Sequence, residues 1–246
     1  MHMAQAYVIW ALNMVLLFLI LFRGIRNGIL HLYPVFYGYM SFSLTTSLGN
    51  LLVVLLFGFT SAQYYYSFHL PNTLIPFLQL WLLWDLYRRS VGYANSSWKD
   101  LLRWASLVAV TTAPIAWKVF SMKRGDPFMS YHALTLPLQV VACLLVYRKV
   151  YSNNQLDLGR NLKGILLGIS IMVALQSINF GRYVFVDSPF QIFGFFVPFI
   201  YLMALLIFAY ALWDYVPMRR LKPFSQDQFS KVNDQLEQVL KSLLLR

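Results

Sequence analysis

AQAYVIWALNMVLLFLILF, residues 4–22, is the run that decides the fold class of this chain. The run contains no charged side chain, and its length is close to the about 20 residues that a helix needs to cross the hydrocarbon of a bilayer. A secretory signal peptide would carry cationic residues before its apolar core. Here MHMAQA contains none, and Arg23 and Arg26 follow the run instead. The sequence therefore predicts a retained membrane-spanning helix.

The composition of the whole chain extends this interpretation. Of its 246 residues, 59% are hydrophobic and 12% are charged, whereas soluble domains carry about 25% charged residues. A soluble protein of this length could not bury so much apolar side chain, which indicates an integral membrane protein with several spans. The single cysteine, Cys143, lies within an apolar run and excludes both a disulfide framework and a thiolate metal cluster.

Six further apolar runs follow the first, and lipid favours helix in each because it offers no partner to an unpaired peptide group. The second run is longer than one crossing requires, so we expect that helix to tilt or to extend into water. The link at 63–69 is densely aromatic, which is typical of the belt at the headgroups. The sequence therefore predicts an all-α integral membrane protein with seven transmembrane helices, at about 4–22, 30–58, 68–87, 104–122, 130–147, 164–182 and 190–214.

The distribution of basic residues predicts the orientation of these helices. Most of the 20 Lys and Arg residues fall in the links on one side, and the other side holds only Lys118, Lys123, Arg124 and Arg182. Because cytoplasmic links are enriched in Lys and Arg, we expect the N-terminus outside and the C-terminus inside a plasma or inner membrane. With an even number of spans the basic links would no longer fall mainly on one side, so the bias supports seven spans. The net charge of +11 is then explained by insertion and contact with the lipid bilayer rather than by nucleic-acid binding.

Polar side chains at membrane depth are the candidates for a ligand site, because they are costly to bury in lipid. Asn13 and Asn50 are two of these, in the first and second runs. Four others are predicted to line a small polar pocket between helices: Gln79, Gln139, Gln176 and Asn179. The alternative is that they form hydrogen bonds between helices, each worth roughly 0.6–2 kcal/mol. No acidic residue lies at a predicted midplane, which argues against a proton relay or a cation-coupled pump.

Motifs for catalysis and cofactor binding are missing from the chain. It contains no H-E-x-x-H, G-x-S-x-G, Walker or G-x-G-x-x-G pattern. The seventh run has no lysine for a retinal Schiff base, and His31 and His132 are predicted in opposite leaflets, where they could not share a haem. Four side chains could meet at the outer rim, although nothing in their spacing requires a metal: His69, His132, Asp126 and Asp187. We therefore predict a non-enzymatic protein without a cofactor or a metal.

Two similar stretches close the third and the seventh runs: LLWDLYRRS at 82–90 and ALWDYVPMRR at 211–220. In the first, Asp85 is one helical turn from two arginines, so a local ion pair can lower its desolvation cost. In the second, proline replaces the arginine one turn on, so Asp214 is expected to find a partner on another helix or in a bound protein. Together the two stretches predict a charged cytoplasmic juncture, formed by Asp85, Arg88, Arg89, Asp214, Arg219 and Arg220.

Residues 223–246 are predicted to form a short cytoplasmic amphipathic helix. Ser225 is a good N-cap, and Gln228 completes a capping box. Apolar residues then recur at alternating spacings of three and four, which predicts an interaction seam like that of a coiled coil: Phe229, Val232, Leu236, Val239 and Leu243. Three partners fit this seam, namely a second copy of the chain, the underside of the bundle or the inner leaflet, and a groove in another protein.

WDYVPMRRLKPF at 213–224, followed by the tail seam, resembles the corresponding part of the seven-helix membrane input modules of bacterial sensor proteins. In those modules the last helix continues through a basic juncture into a helical signalling segment and then an output domain. No output domain follows the tail in this sequence, so the resemblance implies action through a partner. Two other comparisons fit less well. Leu86 follows Asp85 where heptahelical receptors have D-R-Y, and the two LWD stretches are out of register for the repeat of small seven-helix sugar transporters.

The sequence thus predicts two parts, a seven-helix membrane domain at 1–222 and a tail helix at 223–246. The favoured function is a sensor-like or accessory membrane subunit that acts through a partner by its cytoplasmic face and tail, as a homodimer or within a membrane complex. Two alternatives stay open: a small-solute transporter with a polar pocket between its helices, and a membrane-anchor subunit of a larger complex. The sequence does not identify a small-molecule ligand.

Overall fold

A computed structural model describes residues 3–91, 99, 102, 103, 105, 106, 109, 110, 127–152, 156, 157, 159–185, 191–216, 219 and 220. Most of these residues are helical. In chain order the helices are α1 (Met3–Arg26), α2 (Pro34–Phe57), α3 (Ala62–Val91), α4 (Pro127–Ser152), α5 (Gly159–Phe185) and α6 (Gln191–Ala211). Two short strands, β1 (Leu156–Asp157) and β2 (Arg219–Arg220), pair antiparallel and join the link before α5 to the chain after α6.

The predicted helical class is confirmed for the described part of the chain, apart from the short strand pair. Two helical segments, Tyr7–Arg26 within α1 and Pro34–Phe57, are long and apolar enough to cross a membrane. Six of the predicted runs overlap α1 to α6, although their ends differ by several residues. The predicted fourth run, 104–122, falls mainly outside the described residues. The number of spans and their orientation therefore stay predictions.

The turn between α1 and α2 lies farther along the chain than the sequence predicts, because α1 ends at Arg26 rather than near residue 22 and α2 begins at Pro34 rather than near residue 30. Gly28 has a φ of 65°, a left-handed conformation that glycine adopts without strain, and it ends the helical path of α1. The Ile29 N–H donates to the Gly24 carbonyl at 2.9 Å, which closes the turn. His31 therefore lies in this turn rather than within a helix.

The aromatic link predicted at 63–69 is instead part of α3. The Tyr64 N–H donates to Oγ of Ser61 at 3.1 Å, so Ser61 caps the start of the helix. In the first two turns the rings of Tyr65 and His69 are in contact, with centroids 4.4 Å apart. A serine cap just before the aromatic residues explains why they are helical rather than a loop.

The six helices pack as a closed series of neighbours. Each helix contacts the next in chain order, and α6 returns to pack against α1. A contact between α3 and α5 crosses the bundle. One apolar core fills the half of the bundle that contains the C-terminal end of α1 and the N-terminal end of α2, and its almost fully buried side chains include Phe36, Met40, Leu83, Ile165 and Phe208. We call this the inner half, because the predicted orientation places it on the cytoplasmic side.

Candidate functional site

A cavity of about 450 Å³ lies between α1, α2, α3, α5 and α6. On each of these helices the cavity residues lie toward one end and the core residues of the inner half toward the other. We call it the outer cavity. Its wall combines aromatic rings with amides and hydroxyls, and is formed by Tyr7, Ile9, Trp10, Asn13, Tyr39, Ser43, Thr46, Ser47, Asn50, Phe59, Tyr64, Phe68, Asn72, Ile75, Gln176 and Tyr201. None of these described side chains is charged, so the cavity suits an uncharged molecule.

Two amide oxygens in this wall are buried without a hydrogen-bond donor from the described residues. They are Oδ1 of Asn13 on α1 and Oδ1 of Asn50 on α2. Leaving a buried polar atom unpaired costs roughly 1–3 kcal/mol. A bound molecule that donates hydrogen bonds would offset this cost, so the two oxygens mark the part of the outer cavity suited to hydrogen bonding.

Two of the four predicted pocket residues meet, but beside the outer cavity rather than in its wall. Nε2 of Gln139 on α4 donates to Oε1 of Gln79 on α3 at 2.9 Å, and to the Pro76 carbonyl at 3.2 Å. Nε2 of Gln79 in turn donates to the Tyr39 hydroxyl at 3.1 Å. Both glutamines are fully buried. Through Tyr39, which also lines the cavity, these bonds connect the cavity to the packing of α3 against α4.

The other two predicted pocket residues lie on α5. Gln176 lines the outer cavity. Asn179 belongs to the same helix, and its side chain is outside the part of the chain that the structure describes. The structure thus joins two of the four residues directly and places a third in the cavity wall, where Asn13 and Asn50 accompany it.

We expect Gln79→Leu and Gln139→Leu each to lower the free energy of unfolding by roughly 1–2 kcal/mol, because each leaves the remaining amide partly unpaired in the interior. The double variant should lose clearly less than the sum of the two losses, since neither amide remains. Reversible unfolding of the wild type, both single variants and the double variant measures this coupling. Additive losses would show that the two side chains act independently.

The acidic residues of the predicted juncture form separate ion pairs at the inner end. Oδ2 of Asp85 pairs with Nε of Arg89 at 2.7 Å within α3, as the spacing predicts. Asp214 follows α6, and its Oδ2 lies 3.7 Å from Nη2 of Arg160 on α5. Arg160 is therefore the partner on another helix that the sequence led us to expect. The Asp214 side chain is 68% exposed, so this second pair contributes little to stability.

The remaining juncture residues take other positions. Arg88 is half-buried near the end of α3. Arg219 and Arg220 form β2, opposite Asp157 and Leu156 respectively. The tail seam lies outside the described residues, so its partner stays a prediction: Phe229, Val232, Leu236, Val239 and Leu243.

Asn161, in the first turn of α5, makes three hydrogen bonds to the backbone at the inner end. Its Nδ2 donates to the carbonyl of Ala211 at 2.7 Å and to that of Asp214 at 2.8 Å. Its Oδ1 accepts from the Val216 N–H at 2.6 Å. One buried side chain thus pairs three backbone groups where α6 ends. This role is not predictable from the sequence, where Asn161 is a lone asparagine in the basic stretch GRNLKG before a predicted span.

Helix α1 and the turn that follows it contact the same segment from the other side. Nδ2 of Asn27 donates to the Trp213 carbonyl at 2.9 Å, and Nη2 of Arg23 donates to it at 3.3 Å. The Arg23 guanidinium lies 4.0 Å from the centre of the Trp213 ring, a cation–π contact. Residues 211–216, which we call the clamp segment, are thereby fixed between α1 and α5.

The described residues contain no group of three or more His, Cys, Asp or Glu side chains that could hold a metal ion. The outer cavity offers hydrogen bonding and aromatic contact, and hydrogen bonds hold the turn after α6 at the other end of the bundle. No protein-family model, curated protein or solved structure matches the chain.

Proposed function

We propose that this chain is a non-enzymatic, seven-helix integral membrane protein that binds a small uncharged molecule in the outer cavity and acts through a partner at its cytoplasmic face. The outer cavity is the observation that carries this proposal, because five helices line about 450 Å³ without a charged side chain in the described wall. Small-molecule sites typically have volumes of about 300–1,000 Å³. A subunit that served only as an anchor would need no such space.

Exposed apolar side chains support the membrane placement. Only 28% of the apolar window in α1 and 22% of that in α2 are buried inside the bundle. Phe18, Leu52 and Leu55 on these helices are more than half exposed. A soluble bundle would bury such residues, whereas lipid accommodates them. The basic residues then orient the outer cavity away from the cytoplasm and the clamp segment toward it.

The wall of the outer cavity indicates the chemistry of its ligand. The rings of Trp10, Tyr64 and Phe68 offer flat apolar contact. The amide oxygens of Asn13 and Asn50 are acceptors that no described residue pairs. The ligand is therefore small and uncharged, with an apolar body and hydrogen-bond donors at one end.

Two helices connect the outer cavity to the cytoplasmic face. Helix α5 supplies Gln176 to the cavity and Asn161 to the clamp segment. Helix α6 supplies Tyr201 to the cavity and continues directly into the clamp segment. A ligand that binds one relative position of α5 and α6 more tightly shifts the population toward it. The predicted tail at 223–246 then presents its seam to the partner.

A second candidate function, small-solute transport, also uses the outer cavity. Transport requires a path for the ligand to the inner face. In the inner half, Phe36, Met40, Leu83 and Phe208 are almost fully buried and belong to a packed apolar core of the described helices. The packed inner half favours sensing over transport.

Ser47→Trp should abolish retention of the ligand, because Ser47 lines the outer cavity and an indole would occupy much of its space. Leu55→Trp is the matched control, since it adds the same group on the same helix at a position that is 71% exposed. After purification in mild detergent, wild type and Leu55→Trp should release the same small molecule on denaturation. Mass spectrometry should find it reduced at least about tenfold in Ser47→Trp.

Three outcomes would contradict the proposal. Release of nothing from the wild type would exclude a tightly held ligand, and equal release from all three proteins would place the molecule outside the cavity. Passage of the identified molecule across reconstituted vesicles, blocked by Ser47→Trp, would replace sensing by transport. The expected result is retention without passage, with ligand-dependent hydrogen exchange at residues 211–216.

A further inference from the structure

A groove on the surface of the bundle lies between α5 and α6 at the inner end, apart from the outer cavity. Its volume is about 670 Å³. Gly164 and Ala211 form its floor, where the helices are so close that a Cβ on Gly164 would overlap that of Ala211. Its walls are apolar and face outward: Leu167 is 46% exposed, Leu206 is 52% exposed and Tyr210 is 69% exposed.

Two cationic side chains lie at one end of this groove. Arg160 and Lys163 are one turn apart on α5, and both line it. From Arg160 to Leu167 the groove follows the helix for about 10 Å, at roughly 1.5 Å per residue. The apolar part lies within the span predicted from residue 164, and the cations lie just before it, at the depth of the lipid headgroups.

Asp214 places a carboxylate beside Arg160. Oδ2 of Asp214 is 3.7 Å from Nη2 of Arg160, in a pair weakened by solvent. Nε of Arg160 is buried and has no acceptor among the described residues. The guanidinium also lies 5.4 Å from the centre of the Tyr210 ring, which holds it beside the apolar wall. Because solvent weakens the pair with Asp214, a phosphate can compete for the Arg160 guanidinium.

We propose that the groove binds an anionic phospholipid of the inner leaflet. The phosphate contacts Arg160 and Lys163, and one acyl chain lies along Leu167, Leu206 and Tyr210. The cationic end of the groove matches the phosphate of a phospholipid, and the exposed apolar walls match its acyl chain. A free phosphate would contact only the cationic end. The proposal rests on the membrane placement proposed above and is independent of the ligand in the outer cavity.

Lipid binding is tested in bilayers of phosphatidylcholine alone and of equal parts phosphatidylcholine and phosphatidylglycerol. Wild type should show a higher Tm with phosphatidylglycerol, and native mass spectrometry should find that lipid retained. Arg160→Gln/Lys163→Gln should bind it roughly 30-fold more weakly and lose most of the rise in Tm. Lys99→Gln/Arg103→Gln removes the same charge from exposed helical positions predicted on the same side, and should leave both results unchanged.

Leu206→Trp keeps both cations and fills the apolar part of the groove, so it should also reduce retention of phosphatidylglycerol. Glycerol phosphate added to phosphatidylcholine bilayers should not raise the Tm, which separates a lipid from a free phosphate. No rise in Tm for wild type would overturn the proposal, as would an equal loss in Lys99→Gln/Arg103→Gln, which would show a diffuse effect of charge. Alkaline extraction of wild type from its bilayer would instead show that the membrane placement itself is wrong.

Discussion

Replacing Asn161 with alanine should lower the free energy of unfolding by roughly 3–4 kcal/mol. The side chain is fully buried and makes three hydrogen bonds to the backbone of the clamp segment. Each bond contributes roughly 1–1.5 kcal/mol, and alanine offers no replacement for the donors and the acceptor that it removes. Thermal or denaturant unfolding of the purified protein measures the loss, and hydrogen exchange at the Val216 amide should become faster.

Two further variants separate this role from a general effect on the inner end. Asn27→Ala removes one hydrogen bond to the same segment at an exposed site, and should cost no more than about 1 kcal/mol. Asn161→Asp keeps an acceptor for Val216 but turns an oxygen toward two carbonyl groups, so it should destabilise at least as much as alanine. Equal losses for Asn161→Ala and Asn27→Ala would contradict the central position of Asn161.

The described helices were predictable because a long uncharged run that crosses a bilayer must be helical and about 20 residues long. Their ends were not, because hydropathy does not distinguish a buried turn from a helix. Ile29 and Tyr33 lie in the turn between α1 and α2, and both are almost fully buried. At α3, the cap from Ser61 decides the start, and that signal is one residue in an otherwise aromatic stretch.

The candidate site was only partly predictable, because the sequence does not say which helix faces meet. Gln79 and Gln139 are in contact since α3 packs on α4. Asn13 and Asn50 were recognisable as polar residues at depth, yet only the packing of α1 beside α2 places them in one wall. The role of Asn161 was not predictable, because its partners are backbone groups and therefore leave no side-chain pattern in the sequence.

The spacing of Gly164 and Gly168 is a further sequence signal, for close helix packing, that hydropathy does not detect. They are four residues apart, a spacing that lets two membrane helices approach closely. Both face α6 in the structure, where an added Cβ would overlap Ala211 in one case and the Phe208 ring in the other. The close contact between α5 and α6 therefore depends on the absence of a side chain at both positions.

Gly164→Ala should accordingly lower the free energy of unfolding by about 3 kcal/mol, because the added methyl meets Cβ of Ala211 with the backbone directly behind it, and the helices must separate. Gly168→Ala should cost less, since the Phe208 ring can turn aside. Gly49→Ala on α2 is the matched control, as no described atom lies within 4 Å of an added Cβ there, and its stability should be unchanged or slightly higher. Unfolding of the three variants compares them directly.

If Gly164→Ala were as stable as Gly49→Ala, α5 and α6 would be farther apart than this structure has them. The hydrogen bonds from Asn161 to the end of α6 and the floor of the lipid groove would then both be wrong.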